Sequence, residues 1–231
     1  MQRRNFTSAA VSVVAPWGLV AWSSSARAGE ISDVDAASGV RAALERGAVS
    51  AVGLLGRSGG FLDDPRVRIP LPGFLDDLAR FAAMAGLQAR VDELVTAMNR
   101  AAEAAVPAAR PLLVGAVKSM SVDDARRIVT GGDRSATDFF AARTREPIAR
   151  QFLPIVSRET KKLALADKFD AIAGAAAGFG LLRSDQASLP QYVTGKALDG
   201  LFLVIGDEER KIRSDPIGTG SAILAKVFGR G

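Results

Sequence analysis

The chain has no cysteine and no histidine, a single tyrosine, two tryptophans and only 6% aromatic residues. Without cysteine it can form no disulfide, thiol nucleophile or thiolate metal site. Without histidine it has no imidazole to ligate zinc, copper or haem, and it lacks the side chain most often used to move protons near neutral pH. An enzyme built on this sequence would have to work with carboxylates, lysine, tyrosine, serine or a hard cation held by oxygen. No metal or cofactor site is expected among those either. EF-hand spacing is absent, Gly195-Lys196 is followed by Ala197 and lacks the upstream glycine of a P-loop, and Gly218-Thr219-Gly220 lacks the third glycine and the strand of a dinucleotide fingerprint.

Charge of one sign is also in short supply. The formal net charge is +5, but three of the 30 basic residues, Arg3, Arg4 and Arg27, lie in the first 28 positions, where there is no acid. The remainder carries a surplus of two over its 25 acids. Such a balance gives no footprint for nucleic acid, which is not expected as a partner.

What is present is enough apolar material, 48% of 231 residues, for one substantial core. Alanine and leucine are abundant and clusters of β-branched residues scarce, which favours helix over sheet. Residues 1–28 read as an export signal. Arg3-Arg4-Asn5-Phe6 resembles a twin-arginine motif, a modest apolar run follows to Trp22, and Ala26-Arg27-Ala28 has the A-x-A form of a cleavage site. Pro16 and Gly18 interrupt that run, so no membrane span is expected in the mature chain. Residues 29–231 are expected to form a single all-α domain, exported and periplasmic, and the absence of cysteine excludes a lipid anchor on an N-terminal cysteine.

In chain order, apolar residues from Val34 to Leu55 recur at three and four, with Asp33 as N-cap, and predict a helix ending near Gly56. Three prolines and three glycines between Arg57 and Gly73 break the pattern and predict an extended proline-rich strap, about 61–73, lying on the helices. Helical pattern resumes over Phe74–Ala85 and again from Val91, where Val91, Leu94, Val95, Met98, Ala101, Ala102 and Ala105 share one face and Asn99, Arg100 and Glu103 lie off it. Pro107 and Pro111 call for a break. Ser121-Val122-Asp123-Asp124 is a capping box for a helix to about Thr130, and Ser135–Asp138 opens another past Phe139 and Phe140. Pro147 and Pro154 punctuate the helix that follows. Gly174, Gly178 and Gly180 mark a close-packed alanine-rich stretch, Ser188 opens a long helix from Leu189 to about Ser214, and a last amphipathic piece runs to Phe228.

The acidic pairs Asp63-Asp64, Asp76-Asp77, Asp123-Asp124 and Glu208-Glu209 are poor catalytic dyads, because neighbours on a helix diverge by about 100°. Most are better explained as helix-start acids. Arginines at 57, 66 and 68, and at 143, 145 and 150, read as solvated faces. On the long last helix, Glu208 falls inside the apolar arc formed by Leu201, Val204, Ile205 and Ile212. It is therefore expected to be buried against an arginine from elsewhere, Arg100 or Arg68 being the leading partners.

Several stretches carry a resemblance. They are Gly60-Phe61-Leu62 with Arg68-Ile69-Pro70-Leu71-Pro72-Gly73, Met98-Asn99-Arg100-Ala101-Ala102-Glu103, Phe152-Leu153-Pro154-Ile155-Val156, Tyr192 to Phe202, and Glu208-Glu209 with Ile212-Arg213. Together they resemble the bacterial domain-of-unknown-function family 4197. The resemblance implies an exported, mostly helical envelope protein and carries over no activity, cofactor or catalytic residue. The twin-arginine-like leader departs from the ordinary or lipoprotein signals expected in relatives. The polar residues of these stretches, Arg68, Asn99, Arg100, Glu103, Tyr192, Lys196, Asp199, Glu208 and Arg213, are expected to form a structural polar network or a site. The function expected is non-catalytic binding of an envelope protein or an apolar ligand, and the alternative is a carboxylate-based enzyme with an internal polar cleft.

Overall fold

Two long antiparallel helices form the centre of the fold, seen in a computed structural model that describes residues 32–73, 88–162 and 188–215. All lie in the compact unit Ile31–Gly231. The elements are α1 (Asp33–Leu55), α2 (Gln88–Ala105), a 3-10 turn (Val106–Ala109), α3 (Arg110–Lys118), α4 (Val122–Thr130), α5 (Ser135–Thr160) and α6 (Leu189–Ser214). Every regular element among the described residues is helical, so the fold class is all-α. No helix among them is long and apolar enough to cross a membrane. The expected helix at 74–85, the glycines at 174–180 and the terminal piece to Phe228 lie outside the described residues.

The α5–α6 pair is antiparallel, since Thr137 meets Glu209 at one end and Arg145 meets Asp199 further along. Helix α5 buries a row spaced by four, Phe140, Thr144, Ile148, Phe152, Val156 and Thr160. Pro147 and Pro154 were expected to punctuate this region, yet both lie inside one uninterrupted helix. They are two turns apart on its half-buried and exposed side, where the carbonyls that a proline leaves unbonded can turn to water. Helix α6 fills the centre with Val193, Ala197, Leu201 and Ile205. Helix α2 lies along α5, and α1 packs against α6, α3 and α4 through small residues, among them Ala43, Gly47 and Ala51. At Gly47 an added Cβ would stand 3.2 Å from Ile212 Cδ1, so the close approach of α1 to α6 needs a residue of that size.

The ends of the helices follow their local sequence. Ser32, one residue earlier than expected, caps α1 by accepting from Asp35 N. Pro107 and Pro111 stand second in the 3-10 turn and in α3, within the first turn, where a missing N–H costs no helical bond. The capping box at Ser121 and Asp124 opens α4. There the Ser121 backbone N–H lowers the pKa of the Asp124 carboxyl to about 2, with Arg127 and Arg143 adding to the effect against the cost of burial.

Candidate functional site

The nine polar residues expected to act together are distributed over three places. The first is a clamp on the strap. Asn99, fully buried, replaces a missing strand partner: its Oδ1 accepts from Ile69 N at 2.8 Å and its Nδ2 donates to Ile69 O at 2.9 Å. One turn on, a carboxylate oxygen of Glu103 accepts from Phe61 N and Leu62 N at 3.1 and 3.2 Å, while Arg100 holds the other oxygen at 2.7 Å. Both Asn99 and Glu103 were expected off the buried face of α2. They are buried because the strap covers that edge. Clamped there, Phe61 lies against Gly200 of α6, where a Cβ would approach its ring to 2.7 Å. Tyr192 Oη donates to Pro70 O at 3.0 Å, and Arg66 pairs with Asp64 and with Asp207 of α6. Arg66 holds the Asp64 carboxyl below its usual range.

The second place corrects the expectation for Glu208. Its side chain is largely covered, 13% exposed with its stem near Gly47, but its partner is Lys211 one turn on, at 2.6 Å, and it makes no ion pair with Arg68 or Arg100. Arg68 is exposed, with no ion pair among the described residues. The buried acid is the neighbour, Glu209, 4% exposed. It accepts from Ala136 N at 2.9 Å, from Thr137 N at 2.8 Å and from Thr137 Oγ1 at 2.7 Å. Arg213 pairs with it at 2.9 Å and also donates to Ile128 O and Ser135 Oγ. Helix α5 has no side-chain cap of its own, so α6 supplies one, and Arg213 ties in the end of α4. Glu208 and Glu209 both fall within the apolar arc, but only Glu209 faces the unbonded amides of a helix start.

The third place is a surface groove of about 520 Å³ between the antiparallel α5 and α6. Arg145, Glu146, Ala149, Arg150 and Leu153 form its α5 wall, and Gln191, Tyr192, Thr194, Gly195, Lys196, Leu198 and Asp199 its α6 side. Arg145 pairs with Asp199 at 2.6 Å and lies over the Phe202 ring at 5.8 Å, while Arg150 pairs with Glu146 at 2.8 Å. Lys196 Nζ stands 6.0 Å from the centre of the Tyr192 ring and makes no ion pair among the described residues. Thr194 is 6% exposed, and its hydroxyl is buried without a hydrogen-bond partner among the described residues. At Gly195 an added Cβ would meet nothing within 4 Å.

Thr194, Gly195, Arg145 and Arg150 were not singled out as site residues from sequence. The one available signal was a glycine inside a helix, which costs about 1 kcal/mol relative to alanine and calls for a reason. Gly56-Arg57-Ser58-Gly59-Gly60 has the G-x-S-x-G spacing of a nucleophile elbow, but it follows a helix, and Ser58 Oγ accepts from Arg100 at 2.6 Å. No histidine exists to take its proton.

No curated protein and no solved structure matches this sequence. A family model described as "Protein of unknown function (DUF4197)" matches residues 30–229. With the match extending over the strap, both clamps and the groove, the chain belongs to the DUF4197 family.

Proposed function

We propose that this protein is exported to the bacterial envelope and acts there by binding, not by catalysis, with the α5–α6 groove as its binding surface. The observation that carries this reading is how the polar groups are spent. The buried carboxylates Glu103, Asp124 and Glu209 each accept from backbone N–H groups and pair with arginine. None has a free oxygen, so among the described residues the buried carboxylates that a carboxylate-based enzyme would need are committed to holding the fold. Among the described residues, the apolar void beside Glu209, lined by Val40, Leu44 and Ile212, holds only about 10 Å³, too little for an apolar ligand. The groove instead offers the exposed Lys196 ammonium, which makes no ion pair among the described residues, in a volume within the range of small-ligand sites.

Export is supported by Arg3-Arg4 and the Ala26-Arg27-Ala28 cleavage pattern. Cell fractionation should find the protein in the periplasm and find it retained in the cytoplasm when both arginines become lysine. For the groove, a photocrosslinking amino acid at Lys196 or Leu153 should trap a discrete adduct in living cells. The same label at Leu54 or Leu203, both exposed elsewhere, should not. Equal or absent crosslinking at all four positions would refute the groove as the binding surface.

A further inference from the structure

We propose that the outer face of α1 and α3 is a docking surface for an anionic membrane, meeting lipid phosphates through unpaired basic side chains; it stands apart from the α5–α6 groove and does not depend on it. In the first turn of α1, Asp33 pairs with Arg126 and Asp35 accepts from Ser32. Past that turn, residues 36–59 and 106–118 hold five basic side chains, Arg41, Arg46, Arg57, Arg110 and Lys118, against one acid, Glu45, a surplus of four. The chain beyond position 28 has a surplus of only two, so everything outside this layer is acidic by two. The near neutrality of the whole chain hides a basic face.

The two helices lie side by side and antiparallel. Arg41 of α1 donates to Met120 O, just past the end of α3, at 2.8 Å, while Gly56 at the other end of α1 stands against Pro107, where an added Cβ would come within 3.1 Å of the ring. At about 100° per residue, Ala42, Arg46, Val49 and Gly53 fall within about 60° of one another, opposite the buried row of α1, and Arg110, Val114 and Lys118 fall within about 80° on α3. Arg46, Arg57, Arg110 and Lys118 are exposed, and none of them makes an ion pair or hydrogen bond among the described residues. Cations on α4 and α5 are used differently: Arg126, Arg127, Arg143, Arg145 and Arg150 each meet an acid.

The face suits a plane of mobile anions better than one fixed partner group. Measured along the chain, Arg46 and Arg57 are about 16 Å apart and Arg110 and Lys118 about 12 Å, so neither pair can close on a single oxyanion. Between the cations the floor is low, because Ala42 is exposed and an added Cβ at Gly53 or Gly115 would meet nothing within 4 Å. Long basic side chains over such a floor can each reach a separate headgroup. No helix among the described residues is long and apolar enough to cross a bilayer, so this contact would be peripheral and driven by charge. Each cation near an anionic membrane contributes about fivefold in affinity.

Full-length protein should co-sediment with vesicles of phosphatidylglycerol and phosphatidylcholine in equal parts more strongly than with phosphatidylcholine alone, and the difference should shrink as salt screens the exposed charges. Arg46→Gln, Arg110→Gln and Lys118→Gln should each weaken binding to the anionic vesicles about fivefold, and the three together about a hundredfold. A control triple, Arg68→Gln, Arg134→Gln and Lys161→Gln, removes as much charge from exposed cations on the strap and at the two ends of α5, and should leave binding within about twofold of the parent. The leader is common to every variant, so differences between them report the face. All six side chains are exposed, so both triple variants should keep the circular dichroism spectrum and melting temperature of the parent. Equal losses in the two triples would assign the effect to net charge and overturn the proposal. So would a parent indifferent to phosphatidylglycerol, or undiminished binding in the α1–α3 triple. Binding of inorganic polyphosphate without binding of the vesicles would make the occupant a soluble polyanion and refute the membrane.

Discussion

Replacing Glu209 by alanine should be among the most damaging single changes available outside the apolar core. The variant removes the acceptor from Ala136 N, Thr137 N and Thr137 Oγ1, and it takes the carboxylate away from Arg213, whose side chain is only 17% exposed. Hydrogen bonds to a charged partner contribute roughly 1.5–3 kcal/mol each, and breaking one side of a buried pair costs about 3–5 kcal/mol. Arg213 keeps Ile128 O and Ser135 Oγ as acceptors, so a loss of about 3–5 kcal/mol is expected, not the full sum of the contacts. Urea unfolding followed by circular dichroism should show this as a lower midpoint with an unchanged m-value. Removing Arg213 as well should cost less than the two single losses added, because the second change relieves the stranded charge. The decisive comparison is Glu208→Ala, which removes one i,i+3 pair with an exposed lysine and accepts from no backbone amide, so that even with its stem covered it should cost about 1 kcal/mol, well below Glu209→Ala. A loss below 1 kcal/mol for Glu209→Ala, or equal losses at the two positions, would show that Glu209 does not cap α5.

Three further outcomes test other parts of the fold. Gly195→Ala should stabilise by about 0.5–1 kcal/mol, since helix propensity improves and no atom is displaced, whereas Gly200→Ala should destabilise by about 1–3 kcal/mol through its clash with Phe61; thermal melts of both variants check the opposite signs. Asn99→Ala strands both backbone groups of Ile69 and should cost about 2–4 kcal/mol, with trypsin cutting faster at Arg57, Arg66 and Arg68 than in the parent chain. The Asp124 carboxyl has a folded pKa of about 2 against an ordinary 3.8, so its stabilising contribution is complete above about pH 4 and lost as the pH falls toward 2; an Asp124→Asn variant should show a flatter stability profile across that window, and an identical slope would refute the assignment.

How far the sequence could be read depended on the range of each interaction. Helix classes, the break at Pro107 and the capping box at Ser121 rest on residues within four positions of one another, and local pattern is enough for them. The partners of buried acids are set at long range. Glu209 meets Ala136 across 73 positions and Glu103 meets Phe61 across 42, so a helical wheel can show that an acid falls within the apolar arc without showing which atoms it faces. That is why Glu208 drew attention in place of its neighbour. Asn99 and Glu103 were misplaced for a related reason: the wheel assigns them to solvent because it has no knowledge of the strap that covers them. Pro147 and Pro154 were over-weighted, since their cost depends on whether the released carbonyls can reach water, which only the packed helix decides.

The resemblance motifs can now be divided by what each side chain does. Phe61 and Gly200 need each other for shape. Asn99, Arg100 and Glu103 bind the strap, and Glu209 with Arg213 joins three helix ends. These residues are accounted for by folding, and a reader seeking an active site in them would be reading assembly instructions. Within the Tyr192 to Phe202 stretch the remainder is Thr194-Gly195-Lys196, where, among the described residues, a buried hydroxyl has no hydrogen-bond partner, a glycine has no neighbour within 4 Å of where its Cβ would stand, and a lysine makes no ion pair. A fold that satisfies its other buried polar side chains among the described residues, and tolerates a helix-weakening glycine beside the exception, retains at that spot something that stability alone does not require.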